Sequence, residues 1–358
     1  MPSGQGFEDP RDKTTSSSTN KNDPSQDGTD LALANGPNGP DTCYQDNGSF
    51  ALGAQYLGGL TNSTRACSAG MSWMKQQYKF HSGSKPSELQ GFIDHAHNEG
   101  FKILLSIPGE FRPSSIDYNG YVNFIEGVAA LGPDAIEIWN EPNLDMEWPA
   151  GKISASDYVN KLLQPSYDAI KAVNQDIMVV SAAPAPTGYF GGNCSAEGCD
   201  DEPYLREMAN AGAEASLDCV GAHYNAGATA PDQSTGHPAD DGQHHHSWYL
   251  KPLLDLYSSI IAKPICVTEF GYLSGEGYGS VPGGFSWAAN ISLEQHASWL
   301  AQATKIMATE YSDVRLGIVW NMDFTSWGDD PMGGYAIIRP DGSCPACETL
   351  KNTMASIQ

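Results

Sequence analysis

Two glutamates that follow apolar, strand-like runs have the residue type and setting for acid–base chemistry. Glu141 stands in Trp-Asn-Glu-Pro after the run Ala135–Trp139, and Glu269 stands in Thr-Glu-Phe-Gly after the run beginning at Pro264. Two carboxyl groups on opposite sides of a glycosidic bond, one protonated and one ionised, can cleave that bond. When they are about 5–5.5 Å apart, the ionised group acts as a nucleophile. Such chemistry requires that the fold bring Glu141 and Glu269 together.

The elements that would position these glutamates alternate along the chain from Phe50 onward. Strands are predicted at Phe50–Leu57, Met71–Tyr78, Phe101–Ile107, Ala135–Asn140, Ile177–Ala182, Asp218–His223, Pro264–Phe270 and Leu316–Asn321. Helices are predicted at Ser87–Asn98, Tyr121–Leu131, Ala155–Ala172, Trp248–Ile261 and Leu293–Thr309, with a last segment at Cys347–Ile357. Runs such as Ile103-Leu104-Leu105 are apolar without alternation, as in a parallel sheet covered on both faces.

This pattern predicts an α/β protein with a (β/α)8 TIM barrel rather than an open doubly wound sheet. No Gly-rich phosphate loop follows the first strand, which weakens a nucleotide-binding alternative. Catalytic residues of such barrels lie at the carboxyl ends of the strands. Glu141 and Glu269 end the fourth and seventh predicted strands, so both should face the same barrel mouth.

Residues 1–45 differ in composition from the rest of the chain. They are rich in Ser, Thr, Asn, Asp, Gly and Pro and contain few apolar residues. Such a segment cannot bury enough surface to fold alone. We therefore predict a disordered or extended linker or tether at 1–45 and a catalytic domain at 46–358.

The motif Trp139-Asn140-Glu141-Pro142 resembles the Asn-Glu-Pro signature of glycoside hydrolase clan A, the retaining β-glycosidases on (β/α)8 barrels, and the chain looks most like the family 39 and family 5 branches. The resemblance implies that Glu141 is the acid/base and Glu269 the nucleophile. It also implies that Asn140 hydrogen-bonds the 2-hydroxyl of the sugar at the cleavage point, and that no metal or organic cofactor is needed.

Other strand ends supply candidate substrate-binding residues. Clan members carry a His or Tyr at the end of strand six, and here His223 and Tyr224 are adjacent, so both are candidates. Trp320, near the end of strand eight, resembles the clan's aromatic platform, on which the C–H face of a sugar can stack. Strand two carries Trp73-Met74-Lys75-Gln76, where Lys75 or Gln76 could reach polar groups near the mouth, and Trp73 is a further candidate. Structural roles as core residues compete with each of these assignments.

Two further groups have more than one interpretation. Glu137, two residues before Trp139, is expected to be a buried acid paired with a basic group. His244-His245-His246 is expected to be a polar loop, since adjacent histidines converge poorly on one metal ion.

The eight cysteines favour an oxidising, secreted setting. Cys43 and Cys67, Cys194 and Cys199, and Cys344 and Cys347 are candidate pairs, whereas Cys219 and Cys266 are expected to be buried thiols. A zinc site of four cysteines is the alternative, but only Cys344–Cys347 has the required knuckle spacing.

The formal net charge of −24 disfavours binding to nucleic acid or to anionic membranes. No apolar stretch of about 18 residues could span a bilayer. We expect a secreted monomer that acts on a neutral glycan. Two alternatives remain open: a carbohydrate-binding barrel that has lost catalysis, and a transglycosylase that uses the same two glutamates.

Overall fold

The computed structural model describes Cys43 and residues 50–357, and within them a barrel of eight parallel strands. The strands are β1 (Ala51–Tyr56), β2 (Trp73–Gln77), β3 (Lys102–Ile107), β4 (Ala135–Ile138), β5 (Met178–Ser181), β6 (Val220–Tyr224), β7 (Ile265–Phe270) and β8 (Val314–Val319). Their order in the sheet is β5-β4-β3-β2-β1-β8-β7-β6. The predicted (β/α)8 TIM barrel is confirmed.

Helices cover the outside of the barrel. The α-helices are α1 (Ser63–Ser68), α2 (Gln90–Asn98), α3 (Tyr118–Ala129), α4 (Ala155–Tyr158), α5 (Gln164–Val173), α6 (Asp201–Asn210), α7 (Leu250–Ile260), α8 (Leu293–Glu310) and α9 (Pro345–Ile357). A π-helical segment, Val159–Leu163, joins α4 to α5. Short 3₁₀ turns lie at Pro86–Leu89, Ala213–Ser216, His246–Trp248, Gly283–Ala288 and Met332–Gly334. None of the described helices combines the length and apolar character needed to cross a membrane.

The contact between β5 and β6 is shorter than the ladders that join the other neighbouring strands. A single parallel bridge joins Val180 to Cys219, just before β6 begins. The Gly221 N–H donates to the Ser181 hydroxyl at 3.0 Å, so a side chain replaces one ladder bond. A Cβ on Gly221 would stand 2.3 Å from the Ser181 carbonyl oxygen, so this approach requires glycine. We call this contact the seam.

The core has an inner layer inside the barrel and an outer layer between strands and helices. The inner layer consists of Trp73, Leu104, Ala135, Val180, Cys219, Cys266, Leu316 and Ile318. Trp73 is the first residue of β2, so it fills the amino-terminal end of the barrel, away from the mouth. The structure therefore does not bring Trp73 to the mouth, because the start of a strand lies opposite its carboxyl end, and the substrate-binding role of Trp73 stays a prediction.

Most element predictions are confirmed, with ends that shift by up to three residues. Two helices were missed. Helix α1 spans six residues and buries only Ala66, so it carries no apolar period. Helix α6 begins with Asp201 and Glu202 and is mainly polar. The linker predicted at 1–45 lies outside the described residues, apart from Cys43, and stays a prediction.

All cysteines form disulfides. The expected pairs Cys43–Cys67, Cys194–Cys199 and Cys344–Cys347 are confirmed. Cys219 and Cys266, expected to be free thiols, also form a disulfide. That expectation was wrong because the two residues are 47 apart in sequence, and only the pairing of β6 with β7 brings their Cα atoms to 5.7 Å.

Two buried tyrosines fix the carboxyl end of β4 to its neighbours. The Tyr121 hydroxyl donates to the Ile107 carbonyl of β3 at 2.7 Å and accepts from the Trp139 N–H at 3.0 Å. The Tyr158 hydroxyl donates to the Ile138 carbonyl at 2.9 Å and accepts from the Ala182 N–H, just after β5, at 2.7 Å. Tyrosines from the outer helices therefore fix the position of the end of β4, which precedes Glu141, relative to the neighbouring strands.

Tyr158→Phe should lower the free energy of unfolding by about 1–3 kcal/mol, because it leaves the Ile138 carbonyl and the Ala182 N–H buried without partners. Urea denaturation would measure the loss. Tyr204→Phe is the matched control, since Tyr204 is equally buried and its hydroxyl has no hydrogen-bond partner among the described residues. Equal midpoints for the two variants would contradict the role given to Tyr158.

Candidate active site

A cleft of about 990 Å³ lies at the carboxyl ends of the strands. Its polar walls include carboxylates and amides, and its apolar walls include aromatic and methionine side chains. The lining residues are Gln55, Tyr56, Leu57, Gln76, Gln77, Lys79, Gly109, Phe111, Asn140, Glu141, Met146, Glu147, Asn225, Glu269, Trp320, Phe324, Met332 and Tyr335.

Glu141 reaches the cleft because the backbone turns sharply after β4. Trp139 has a φ of 76°, in the left-handed region that bulky residues rarely adopt. Its indole is buried against Tyr121 and Trp148, which holds this conformation. Asn140 and Glu141 follow at once and line the cleft, as the sequence motif predicted.

Glu269, the second-last residue of β7, is surrounded by hydrogen-bond donors. Its Oε1 accepts from Lys75 Nζ at 2.9 Å and its Oε2 from Asn225 Nδ2 at 3.1 Å. Burial alone would raise the pKa of Glu269, but the positive charges of His223 and Lys75 and these hydrogen bonds outweigh burial and lower it. Glu269 is therefore held in its ionised form.

Lys75 lies beneath the cleft rather than on its surface. Its side chain is fully buried, with Nζ 2.9 Å from Glu269 Oε1 and 3.4 Å from Glu137 Oε2. Burial lowers the pKa of Lys75, but the two carboxylates outweigh it and raise the pKa overall. Both carboxylates engage the ammonium group of Lys75, so the structure places it behind the nucleophile, and its contact with substrate stays a prediction. Glu137 is paired with a basic group, as expected.

His223 connects the two glutamates from below the cleft. Its Nδ1 shares a hydrogen bond of 2.9 Å with Glu141 Oε1 and lies 3.8 Å from Glu269 Oε2. Burial lowers the pKa of His223, but the charge of Glu269 and the contact with Glu141 outweigh it and raise the pKa. With no exposed surface, His223 is placed to act on the glutamates rather than on a ligand directly.

Tyr224 points away from the cleft. Neighbouring residues of a strand face opposite sides of a sheet, so His223 turns inward and Tyr224 outward. The Tyr224 hydroxyl donates to the Trp248 carbonyl at 3.3 Å, and its ring packs edge-on against Tyr272. Tyr224 is therefore not among the residues that line the cleft, and its contact with substrate stays a prediction.

Glu147 is a third carboxylate in the cleft. Its Oε1 accepts from Asn140 Nδ2 and its Oε2 from the Glu141 N–H, each at 2.8 Å. Burial and the negative charge of Glu141 raise the pKa of Glu147 to about 7. Sequence reasoning missed it because it lies six residues after Glu141 in an irregular loop. The acid-rich run Asp145-Met146-Glu147 was the available signal.

One wall of the cleft is apolar. Trp320 follows β8, is 6% exposed, and packs edge-on against Phe324. The sequence predicted Trp320 here but not Tyr335, whose hydroxyl donates to the Asn225 carbonyl at 2.8 Å. Tyr335 belongs to the long segment after β8, which carries no strand or helix pattern that would place it.

The histidine run turns out to have three separate partners. His244 contacts Asp240, His245 contacts the Ser247 hydroxyl, and His246 contacts Asp201. Among residues 50–357 and Cys43, no three His, Cys, Asp or Glu side chains converge as metal ligands would.

No family model and no curated protein matches the sequence. Solved structures do match the fold. A family 53 glycoside hydrolase catalytic domain from Ignisphaera aggregans has a TM-score of 0.56 and 15% identity over 86% of this chain and 91% of its own. A glucosidase from Croceicoccus marinus has a TM-score of 0.55 and 11% identity, covering 88% and 70%.

A family 26 β-mannanase from Bacteroides ovatus has a TM-score of 0.52 and 12% identity, covering 87% of this chain and 90% of its own. These structural neighbours include families of glycoside hydrolase clan A, the clan whose motif this sequence resembles. At such identities the likeness shows the fold. This chain has the barrel fold that those glycoside hydrolases share.

Proposed function

We propose that this protein is a retaining β-glycosidase in which Glu269 is the nucleophile and Glu141 the acid/base. The observation that carries the proposal is the contact of one imidazole nitrogen, His223 Nδ1, with both carboxylates in a cleft at the barrel mouth. Glu269 attacks the anomeric carbon while Glu141 protonates the departing oxygen. Glu141 then removes a proton from the water that releases the sugar.

The division of roles follows from the surroundings of each glutamate. Glu269 is kept ionised by Lys75 and His223, as a nucleophile must be. The Glu141 side chain is 17% exposed against 7% for Glu269, so Glu141 is the better placed to meet the incoming water.

The spacing of the carboxylates is compatible with retention of configuration. Since His223 Nδ1 is 2.9 Å from Glu141 Oε1 and 3.8 Å from Glu269 Oε2, those two oxygens cannot be farther apart than the sum of the distances. That bound lies near the lower limit of about 6.5 Å for inverting enzymes, and retaining enzymes need about 5–5.5 Å.

The cleft walls favour a neutral glycan. Gln55, Gln76, Asn140 and Asn225 supply uncharged amides, and Trp320 supplies an apolar surface on which a sugar could stack. Three glutamates and one lysine, Lys79, line the same cleft, so its excess of negative charge disfavours a ligand that carries a carboxylate. The four disulfides suit a secreted protein, and the monomeric state stays a prediction.

Replacement of either glutamate should leave a distinct chemical signature with azide. Glu269→Ala should abolish hydrolysis, and azide should restore turnover to a glycosyl azide of inverted configuration, because azide enters from the face that the nucleophile has vacated. Glu141→Ala should give the azide of retained configuration from an activated aryl glycoside. Proton NMR of the products would identify each anomer. Hydrolysis that survived the loss of both glutamates would refute the mechanism.

His223→Gln should move the acidic limb of the kcat/KM profile to higher pH. The positive charge of His223 helps to lower the pKa of Glu269, so its removal lets that pKa rise and protonates the nucleophile at a higher pH. Initial rates of aryl glycoside hydrolysis from pH 3 to 9 would show the shift. An unchanged acidic limb would mean that His223 does not control ionisation of the nucleophile.

A panel of β-linked polysaccharides should show cleavage of neutral glucans, xylans or mannans and none of polyuronates. The cleft presents three glutamates against one lysine, Lys79, so a uronic acid would meet more negative than positive charge. Products sized by mass spectrometry would report both hydrolysis and any transglycosylation. A preference for a polyuronate would contradict the assignment of a neutral substrate.

A further inference from the structure

Glu147 contacts both catalytic-motif residues that precede it, through two different oxygens of one carboxylate. Oε1 accepts from the side-chain amide of Asn140 and Oε2 accepts from the backbone N–H of Glu141. Both distances are 2.8 Å, which is typical of charge-assisted hydrogen bonds. One side chain therefore fixes the amide of Asn140 and the backbone of Glu141 together.

The first contact decides how the Asn140 amide is oriented. Only its NH₂ group can donate to a carboxylate, so the carbonyl oxygen must point the other way. That oxygen, Asn140 Oδ1, is buried and has no hydrogen-bond partner among the described residues. Because Asn140 lines the cleft, a sugar hydroxyl could supply the missing donor. Without Glu147 the amide would be free to rotate and reverse this polarity.

The second contact acts on the turn that follows β4. This turn carries the left-handed Trp139, a conformation that surrounding contacts must hold in place. The Trp139 indole N–H donates to the Glu147 carbonyl at 3.1 Å, so residue 147 contacts three consecutive residues of the turn.

The loop around Glu147 does not depend on its carboxylate. The N–H groups of Glu147 and Trp148 donate to the Leu144 carbonyl, and the Arg112 N–H donates to the Met146 carbonyl. The Trp148 ring is buried against Trp139. A change confined to the carboxylate should therefore leave the loop folded, which makes the role testable.

We propose that Glu147 is a positioning residue, which orients Asn140 and Glu141 for the reaction without itself exchanging protons with substrate. This inference rests on the proposed function. Glu147→Gln tests the role with almost no change in side-chain shape. A glutamine can offer an acceptor to one of the two N–H groups, but it must then point its own NH₂ group at the other. The variant also resembles the protonated form of Glu147, whose pKa burial raises to about 7.

The experiment compares two aryl glycosides in wild type, Glu147→Gln, Asn140→Ala and the double variant. A dinitrophenyl leaving group needs no proton, so its kcat/KM reports the placement of Asn140 alone, whereas a plain phenyl group also needs Glu141 as acid. We expect a loss on the order of 10²-fold with the dinitrophenyl substrate and a larger loss with the phenyl substrate. The losses of the two single variants should be less than multiplicative in the double variant.

Glu110→Gln is the matched control, since Glu110 is exposed and follows Gly109 of the cleft wall. It should retain the wild-type kcat/KM on both substrates. Circular dichroism and urea denaturation would verify the fold of each variant. If Glu147→Gln fails to fold, Glu147→Asp keeps the charge but is too short to reach both N–H groups, and it should show the same losses.

A folded Glu147→Gln with wild-type kcat/KM on both substrates would overturn the inference, and so would fully multiplicative losses. Neither result would contradict the proposed function, because the wild type would still cleave its substrates. A wild type inactive on every glycoside, with Glu269→Ala no different, would instead defeat the proposed function itself.

Discussion

The ammonium group of Lys75 is the charge on which the site depends. It is fully buried between Glu137 and Glu269, 3.4 Å from Glu137 Oε2 and 2.9 Å from Glu269 Oε1. A buried charge is tolerated only when it is paired and hydrogen-bonded, so each of these groups requires the others. Because Lys75 extends from β2 to residues on β4 and β7, the same interaction ties together three strands that are not neighbours in the sheet. The position of the nucleophile is thus part of the packing of the barrel interior.

A second constraint acts where β4 ends. Tyr121 and Tyr158 hold the strand end from outside, and Glu147 holds the turn from above. Trp139 stores an unfavourable backbone conformation between them. The acid/base is therefore fixed by a network from two helices and a loop, whereas the nucleophile is fixed from inside the barrel. His223 contacts both glutamates from beneath the cleft.

The sequence was enough to predict the barrel, because apolar runs and amphipathic segments alternate regularly. It also predicted which ends of which strands carry Glu141 and Glu269, and the pairing of Glu137 with a basic residue. It could not predict contacts that depend on how distant segments pack against each other in the folded barrel. The choice between His223 and Tyr224 depends on which face of β6 turns inward, and a bulge in the pairing of β6 with β7 lies at that point.

The pairing of Lys75 and the contacts of Glu147 could not be predicted from the sequence, and the reason is the same for both. A lysine near a strand end is expected to reach solvent or ligand, and only the positions of Glu137 and Glu269 show that its charge is already neutralised. Glu147 lies in a loop without periodicity, so nothing local indicates that it folds back on Asn140. The Cys219–Cys266 bond likewise joins residues that only the closed barrel brings together.

The seam between β5 and β6 has a consequence for how the barrel resists reduction. Cys219 lies at this seam, and both it and Cys266 are almost completely shielded from solvent. A small thiol can reach their sulfur atoms only when neighbouring strands separate, and the seam has the fewest bonds to break. The rate at which a reductant cleaves this disulfide therefore reports how often the barrel wall opens transiently. The Cys219–Cys266 disulfide thus makes opening of the seam measurable by its reduction.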